Sequence, residues 1–186
     1  MAKIITFTGL GGVGKDTCAS MIKKGLKSKG LRIFELAYGD PVKSNCSRNF
    51  DYDEAKKLEQ RIILTDWGTD KVRKKDHDFW VKIANMFVEL LKDEYDVFIM
   101  TDARFENEMN HDVFNADIPI YSILVVREDN NLSLEQSKHS SEQLAERDPD
   151  LFDCVIRNDG TLDDLEKLCG LYVNHLGEWF RTVDAA

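Results

Sequence analysis

The run Ile4-Ile5-Thr6-Phe7-Thr8-Gly9-Leu10-Gly11-Gly12-Val13-Gly14-Lys15-Asp16-Thr17 decides how the rest of the chain is read. An apolar, strand-like segment meets a glycine-rich turn, and a helical pattern begins at Asp16. From Asp16 to Lys29, Cys18, Met21, Ile22 and Leu26 share one face and lysines occupy the other. Gly9 to Lys15 fits the spacing GxxxxGK between a strand and a helix. Glycines let backbone N–H groups turn inward around phosphate oxygens, and a helix N-terminus adds the positive end of its dipole. A lysine at the end of such a loop reaches the outer phosphates of a nucleotide. Candidate nucleotide-binding residues are therefore Gly9, Gly11, Gly12, Val13, Gly14, Lys15, Asp16 and Thr17. Asp16 stands where Ser or Thr is usual. It can approach a magnesium ion, directly or through water, or its charge can simply favour the helix start.

Outward from this run, Gly30 is a helix terminator and Leu31 to Ala37 a second strand, so strand, helix and strand form a right-handed parallel crossover. Asp53 to Leu64 is a helix candidate. His77 to Glu94 is a stronger one, with Trp80, Ile83, Phe87, Leu90 and Leu91 at helical spacing. Tyr95 to Thr101 is a third strand, apolar up to Asp102, and Phe105 to Phe114 a short helix. Ile118 to Val126 and Phe152 to Arg157 are the fourth and fifth strands. Leu162 to Phe180 closes the chain as a helix, with Leu162, Leu165, Leu168 and Leu171 expected to face inward. Five strands with intervening helices give an α/β doubly wound parallel sheet. No linker interrupts the chain, which reads as one domain over 1–186. Two segments, about 40–75 and about 128–150, read as insertions that can cover a site at the strand ends.

The 186 residues carry 25 Lys and Arg against 34 Asp and Glu, a net charge of −9. Nucleic-acid binding relies on basic patches, so a polynucleotide partner is not expected, while a small anion in a local basic pocket is allowed. No apolar run is long enough to cross a membrane. Cys18, Cys46, Cys154 and Cys169 are scattered, as expected of reduced thiols in a cytoplasmic protein.

Further motifs narrow the reading. Tyr38-Gly39-Asp40-Pro41-Val42-Lys43 follows the second strand. Gly68-Thr69-Asp70-Lys71-Val72-Arg73 precedes Asp78-Phe79-Trp80-Val81. Thr101-Asp102-Ala103-Arg104-Phe105-Glu106-Asn107-Glu108 follows the third strand, and His139-Ser140-Ser141-Glu142 lies in the second insertion. This set, in this order, resembles the deoxynucleoside monophosphate kinases of bacteriophages from residue 4 to the closing helix. The resemblance implies a P-loop, nucleoside-monophosphate-kinase-like fold with a helical substrate-binding insertion and a lid. It implies transfer of the ATP γ-phosphoryl group to a deoxynucleoside 5′-monophosphate, with ATP and Mg2+ as cofactors. Members of that family can be dimeric, so a homodimer is compatible with it.

The residues suit those roles. Asp102 ends a strand beside the loop, where a carboxylate can hold magnesium, or it can cap the segment that follows. Arg104 can clamp an acceptor phosphate bidentately, and Arg73 can do the same unless Arg73-Lys74-Lys75 is a solvated basic face. Arg127, at the entrance of the second insertion, is a candidate lid arginine or a surface charge. Trp80 can stack on a base or belong to the core. Asp40, Lys43, Asp70, Asn107, Glu108 and Glu142 complete the candidate substrate site, with Asn107 and Glu108 either holding base or sugar or only bracing Arg104. Asn158 lies on the turn after the fifth strand, near which adenine packs in such kinases; the turn can equally be an ordinary loop with a helix cap at Asp159 or Thr161. The catalytic set is then Lys15, Asp102, Arg104 and Arg127, with Asp16 and Asp102 as metal ligands. Two rival readings remain: another small-molecule kinase on this fold, of the dephospho-coenzyme-A or phosphomevalonate type, and a nucleotide-binding regulator without an acceptor.

Overall fold

Period-two alternation in the first strand sets the layering. In a computed structural model, which describes residues 1–57, 59–109, 118–128 and 149–185, β1 (Lys3–Thr8) is buried at every position. Ile5 and Phe7 enter one apolar cluster and Ile4 the opposite one. A strand covered on both faces belongs at the centre of a parallel sheet. The sheet order is β2-β3-β1-β4-β5, with β2 (Ile33–Leu36), β3 (Val97–Ala103), β4 (Ile120–Val126) and β5 (Cys154–Arg157), and every pairing is parallel. Ile5 lies between Ile99 of β3 and Tyr121 of β4.

One face of the sheet is covered by α1 (Lys15–Ser28) and α5 (Leu162–Asp184). Ile22 and Leu26 of α1 meet Cys169, Val173 and Leu176 of α5 over Ile99, Ile123 and Val125. The other face is covered by α4 (Phe79–Leu91), whose Val81, Ala84 and Val88 pack on Ile4, Phe98 and Met100. A third, smaller cluster forms between α4 and the first insertion. There Trp80 packs with Val42 and Cys46 of α2 (Gly39–Asn49) and with Leu64 of α3 (Arg61–Thr65).

Several sequence expectations shift. The helix expected over Asp53–Leu64 is only a 3-10 turn at Glu54–Lys56 followed by α3. Side chains compete with the helix there: Asp53 Oδ1 accepts from the Ala55 amide at 3.0 Å and Gln60 Oε1 accepts from the Asp53 amide at 2.7 Å. Beyond α3 the chain continues as a π-helical stretch, Asp66–Arg73. In α5, Leu162 and Leu171 are exposed, and the inward row is Leu165, Cys169, Val173, Leu176 and Phe180. A three-residue spacing drifts about 60° per step around a helix, so four leucines at that spacing cannot share a face. In α4 the expected residues do share a face, but that face is turned partly away from the buried one, so Phe87 and Leu90 point outward while Trp80, Val81, Ala84 and Val88 are buried. The helix expected over Phe105–Phe114 is represented by a 3-10 turn at Glu106–Glu108, and its remainder from 110 lies outside the described residues. So does most of the second insertion, including His139 and Glu142. Thr161 caps α5: its Oγ1 accepts from the Asp164 amide at 3.2 Å and Asp164 returns the bond to the Thr161 amide at 3.1 Å. No described helix is long and apolar enough to cross a membrane.

Leu26 has no exposed surface and sits between α1, α5 and the sheet. Leu26→Ala should cost about 2–5 kcal/mol, seen as a lower urea midpoint with an unchanged slope.

Candidate active site

The carboxyl ends of all five strands converge on one edge of the sheet, the usual place for ligands in open α/β folds. After β1 the chain turns through Gly9–Gly14 into α1. Gly12 and Gly14 have φ of 83° and 95°, a left-handed backbone that glycine adopts without steric cost. A Cβ on Gly9 would stand 2.3 Å from the Val125 carbonyl oxygen, so glycine there lets the loop lie against β4. Lys15 is almost buried, and its ammonium donates to the carbonyls of Gly9 and Leu10, both at 2.8 Å. The lysine is thus held over its own loop.

A cleft of about 510 Å3 opens between this loop and the first insertion. Six basic side chains line it, Lys15, Lys43, Lys57, Arg61, Arg73 and Arg104, against three acidic ones, Asp16, Asp102 and Glu108. Val42, Leu64, Trp80 and Phe105 supply its apolar walls. In an acidic chain, a cleft with this excess of cations selects anions, and its volume suits a small molecule.

The β3 end forms the wall opposite the loop. Asp102 accepts hydrogen bonds from the backbone amides of Tyr38 at 2.7 Å and Gly39 at 2.8 Å, so its carboxylate caps α2, an element that precedes it in the chain. Desolvation raises the pKa of Asp102, opposed by Arg104 and by those two amides. A Cβ on Gly39 would lie 2.9 Å from Asp102 Oδ2, so this approach requires glycine. Glu108, 1 % exposed, accepts from the amides of Arg104 at 2.5 Å and Phe105 at 3.1 Å and pairs with the Arg73 guanidinium. Its pKa too is raised by burial, against the opposing charge of Arg73. Arg73 is 8 % exposed, lies 3.9 Å over the Phe105 ring, and donates to the His77 carbonyl at 3.2 Å and to Asn107 Oδ1 at 3.4 Å. It is a buried, fixed cation and no part of a solvated basic face. Asn107 is spent in the same framework, donating to the His77 carbonyl and to Asp78. The Tyr38 hydroxyl donates to the Glu108 carbonyl at 2.9 Å, and burial raises its pKa well above the ordinary phenol value.

Trp80 is 3 % exposed, donates from Nε1 to the Gly68 carbonyl at 2.9 Å, and borders the cleft, so it is at once core and wall. Gly11, Gly12, Lys15, Asp16, Lys43, Arg73, Trp80, Asp102, Arg104 and Glu108 are brought together as expected from sequence. Other candidates are placed differently. Val13 is buried in the core beneath the loop, and Thr17 is exposed outside the cleft lining. Asp40 is exposed and within 3.4 Å of Lys43. Asp70 faces outward, 3.4 Å from Lys74, because the π-helical phase turns Gly68, Thr69 and Arg73 toward the cleft instead. Arg127 is exposed just past β4, and Asn158 is bonded to the back of the phosphate loop. Glu142 lies outside the described residues. Sequence reasoning missed Lys57, Arg61 and Thr65, which line the cleft; their four-residue spacing was the signal available in the sequence.

Comparison with known proteins agrees with this geometry. A family model for adenylylsulphate kinase matches residues 1–66, and one for deoxynucleotide monophosphate kinase matches residues 54–168, more than half of the chain. The chain belongs to the deoxynucleotide monophosphate kinase family. No curated protein sequence matches it. Among solved structures, dephospho-CoA kinase from Campylobacter jejuni is similar over 96% of this chain and 98% of its own, with TM-score 0.54 and 14% identity. A sugar kinase from Janibacter sp. is similar over 94% of this chain and 95% of its own, with TM-score 0.50 and 14% identity. At that identity the two likenesses establish the P-loop kinase fold and leave the substrate to the site itself.

The Arg73–Glu108 pair predicts an asymmetry in this family member. Glu108→Ala strands a buried guanidinium and should cost about 3–5 kcal/mol in denaturant unfolding. Lys74→Ala, which breaks the exposed pair with Asp70, should cost less than about 1 kcal/mol in the same measurement.

Proposed function

We propose that the protein is an ATP-dependent deoxynucleoside monophosphate kinase, producing the deoxynucleoside diphosphate and ADP. The observation that carries this reading is the position of one basic cleft. It joins the phosphate loop and Lys15 to an insertion rich in cations, within a chain of the deoxynucleotide monophosphate kinase family. Two anionic reactants must meet for such a transfer, and clustered fixed cations offset their repulsion.

In this mechanism the loop N–H groups and Lys15 hold the β- and γ-phosphates of ATP. Lys43, Lys57, Arg61 and Arg104, from α2, the first insertion and the end of β3, receive the acceptor monophosphate, and Arg127 adds charge from the end of β4. Arg73 contributes its charge while staying fixed on Glu108. An acceptor phosphate oxygen attacks the γ-phosphorus, the bond to the β-phosphate oxygen breaks, and ADP leaves. The attacking oxygen is already anionic, so no strong general base is required and catalysis rests on positioning and charge neutralisation. Asp16, exposed and lining the cleft beside the loop, fits the one-carboxylate support that a phosphate-held magnesium ion needs. Asp102 fits it less directly, since both its oxygens accept backbone amides. When bound, Mg2+ supplies Lewis-acid neutralisation of the phosphate oxygens. Trp80, Val42 and Leu64 form the apolar wall against which a base can pack.

The test is ADP release from ATP and Mg2+ with and without a mixture of deoxynucleoside monophosphates. Release should rise strongly with the mixture, and Lys15→Ala should lower the stimulated rate by at least about 100-fold with the fold retained. Asp102→Asn should also lose most activity. Equal, slow release with and without acceptor would favour a nucleotide-binding regulator instead.

A further inference from the structure

The turn after β5 is the part of the site whose chemistry is not yet accounted for. Asn158 is 8 % exposed, and its side-chain amide donates to the Val13 carbonyl at 2.8 Å, inside the phosphate loop. Its own backbone amide donates to the Val126 carbonyl at 2.8 Å, which ties the residue to the end of β4. Asn158 is absent from the cleft lining, whereas Gly11, Gly12, Lys15 and Asp16 belong to it. The bond reaches the loop at Val13, whose side chain is buried in the core beneath the loop.

We propose that Asn158 is a positioning residue of the phosphate loop, pinning the Val13 carbonyl to the back of the loop so that the neighbouring N–H groups face the phosphates. The need for it follows from electrostatics. A cradle for an anion must present N–H groups and turn carbonyls away, because an inward carbonyl dipole repels the phosphate. Glycine-rich backbone has many alternatives to that arrangement, and each must be suppressed before the anion binds. One buried amide donor on the Val13 carbonyl does so from outside the cleft lining. Gly14 fits the same account: a Cβ there would lie 2.5 Å from Asn158 Nδ2, so a residue with a side chain at 14 would expel the strut. The glycine before Lys15 thus answers both to a left-handed φ of 95° and to the room Asn158 occupies.

The inference rests on the phosphate loop binding a nucleotide and on nothing about the acceptor, so it is tested by binding without turnover. Asn158→Asp keeps the side chain's size but turns an oxygen toward the Val13 carbonyl, and Asn158→Ala removes the strut. Both are titrated with ATP and, separately, with a deoxynucleoside monophosphate, and their melting temperatures are compared with the parent. The expected result is a rise in the ATP Kd of about tenfold or more, larger for Asp than for Ala. The monophosphate Kd should stay within twofold and the melting temperature within a few degrees. An ATP Kd within twofold of the parent in a folded variant, or an equal weakening of both ligands, would overturn the proposal. If Asn158→Asp does not fold, Asn158→Ala decides by the same criteria. Absence of acceptor turnover in the parent protein would count against the kinase reading alone.

Discussion

A guanidinium taken out of water must be neutralised and hydrogen-bonded, and the cleft wall is built around meeting that demand for Arg73. Glu108 answers with its carboxylate, and the same carboxylate gathers the amides of Arg104 and Phe105, so one buried acid fixes the turn after β3. Phe105 covers the guanidinium face, Asn107 and the His77 carbonyl accept from its Nη1, and Tyr38 closes on the Glu108 carbonyl. The end of β2, the end of β3, the π-helical stretch and the start of α4 are thereby held in one arrangement. Asp102 extends it by capping α2. The cations that face the ligand are then displayed from a scaffold whose own charges are internally matched.

That division resolves the apparent conflict between the net charge of −9 and an anion-binding role. Among the described residues most acidic side chains are exposed, whereas the cleft concentrates lysines and arginines beside protein walls of low polarity, where each charge acts more strongly on a phosphate. The raised pKa of Asp102 and of Glu108 has the same origin, because a carboxylate placed there is desolvated. Arg73, paired with Glu108, shapes the wall, and Lys43, Lys57, Arg61 and Arg104 line the cleft beside it.

The sheet was legible because its signals are local and redundant. Ile4, Ile5 and Phe7 mark a buried strand, and the glycines that follow mark a turn into a helix. The limits of that legibility have physical causes. The helix over Asp53–Leu64 failed because Asp53 and Gln60 bond to nearby amides, a competition that periodicity does not register. The inward leucines of α5 were misphased by a three-residue spacing. In the site, Lys15 and Asp16 followed from the motif alone. Reading Arg73 as a phosphate clamp or a solvated cation could not foresee Glu108, which is 35 residues away in sequence and meets it only through the fold. Asn158 was singled out for its turn, and the bond from its amide to the loop, spanning 145 residues, leaves no local trace.

Direct transfer requires the cleft to bring an ATP γ-phosphate and a deoxynucleoside monophosphate together. A single turnover with γ-labelled ATP, Mg2+ and a panel of deoxynucleoside monophosphates, followed by separation of the products, decides whether it does. Label is expected in the β-phosphate of a deoxynucleoside diphosphate, formed in equal amount with ADP and lost in Lys15→Ala. Label that stays in ATP or appears only as inorganic phosphate with every acceptor would contradict it.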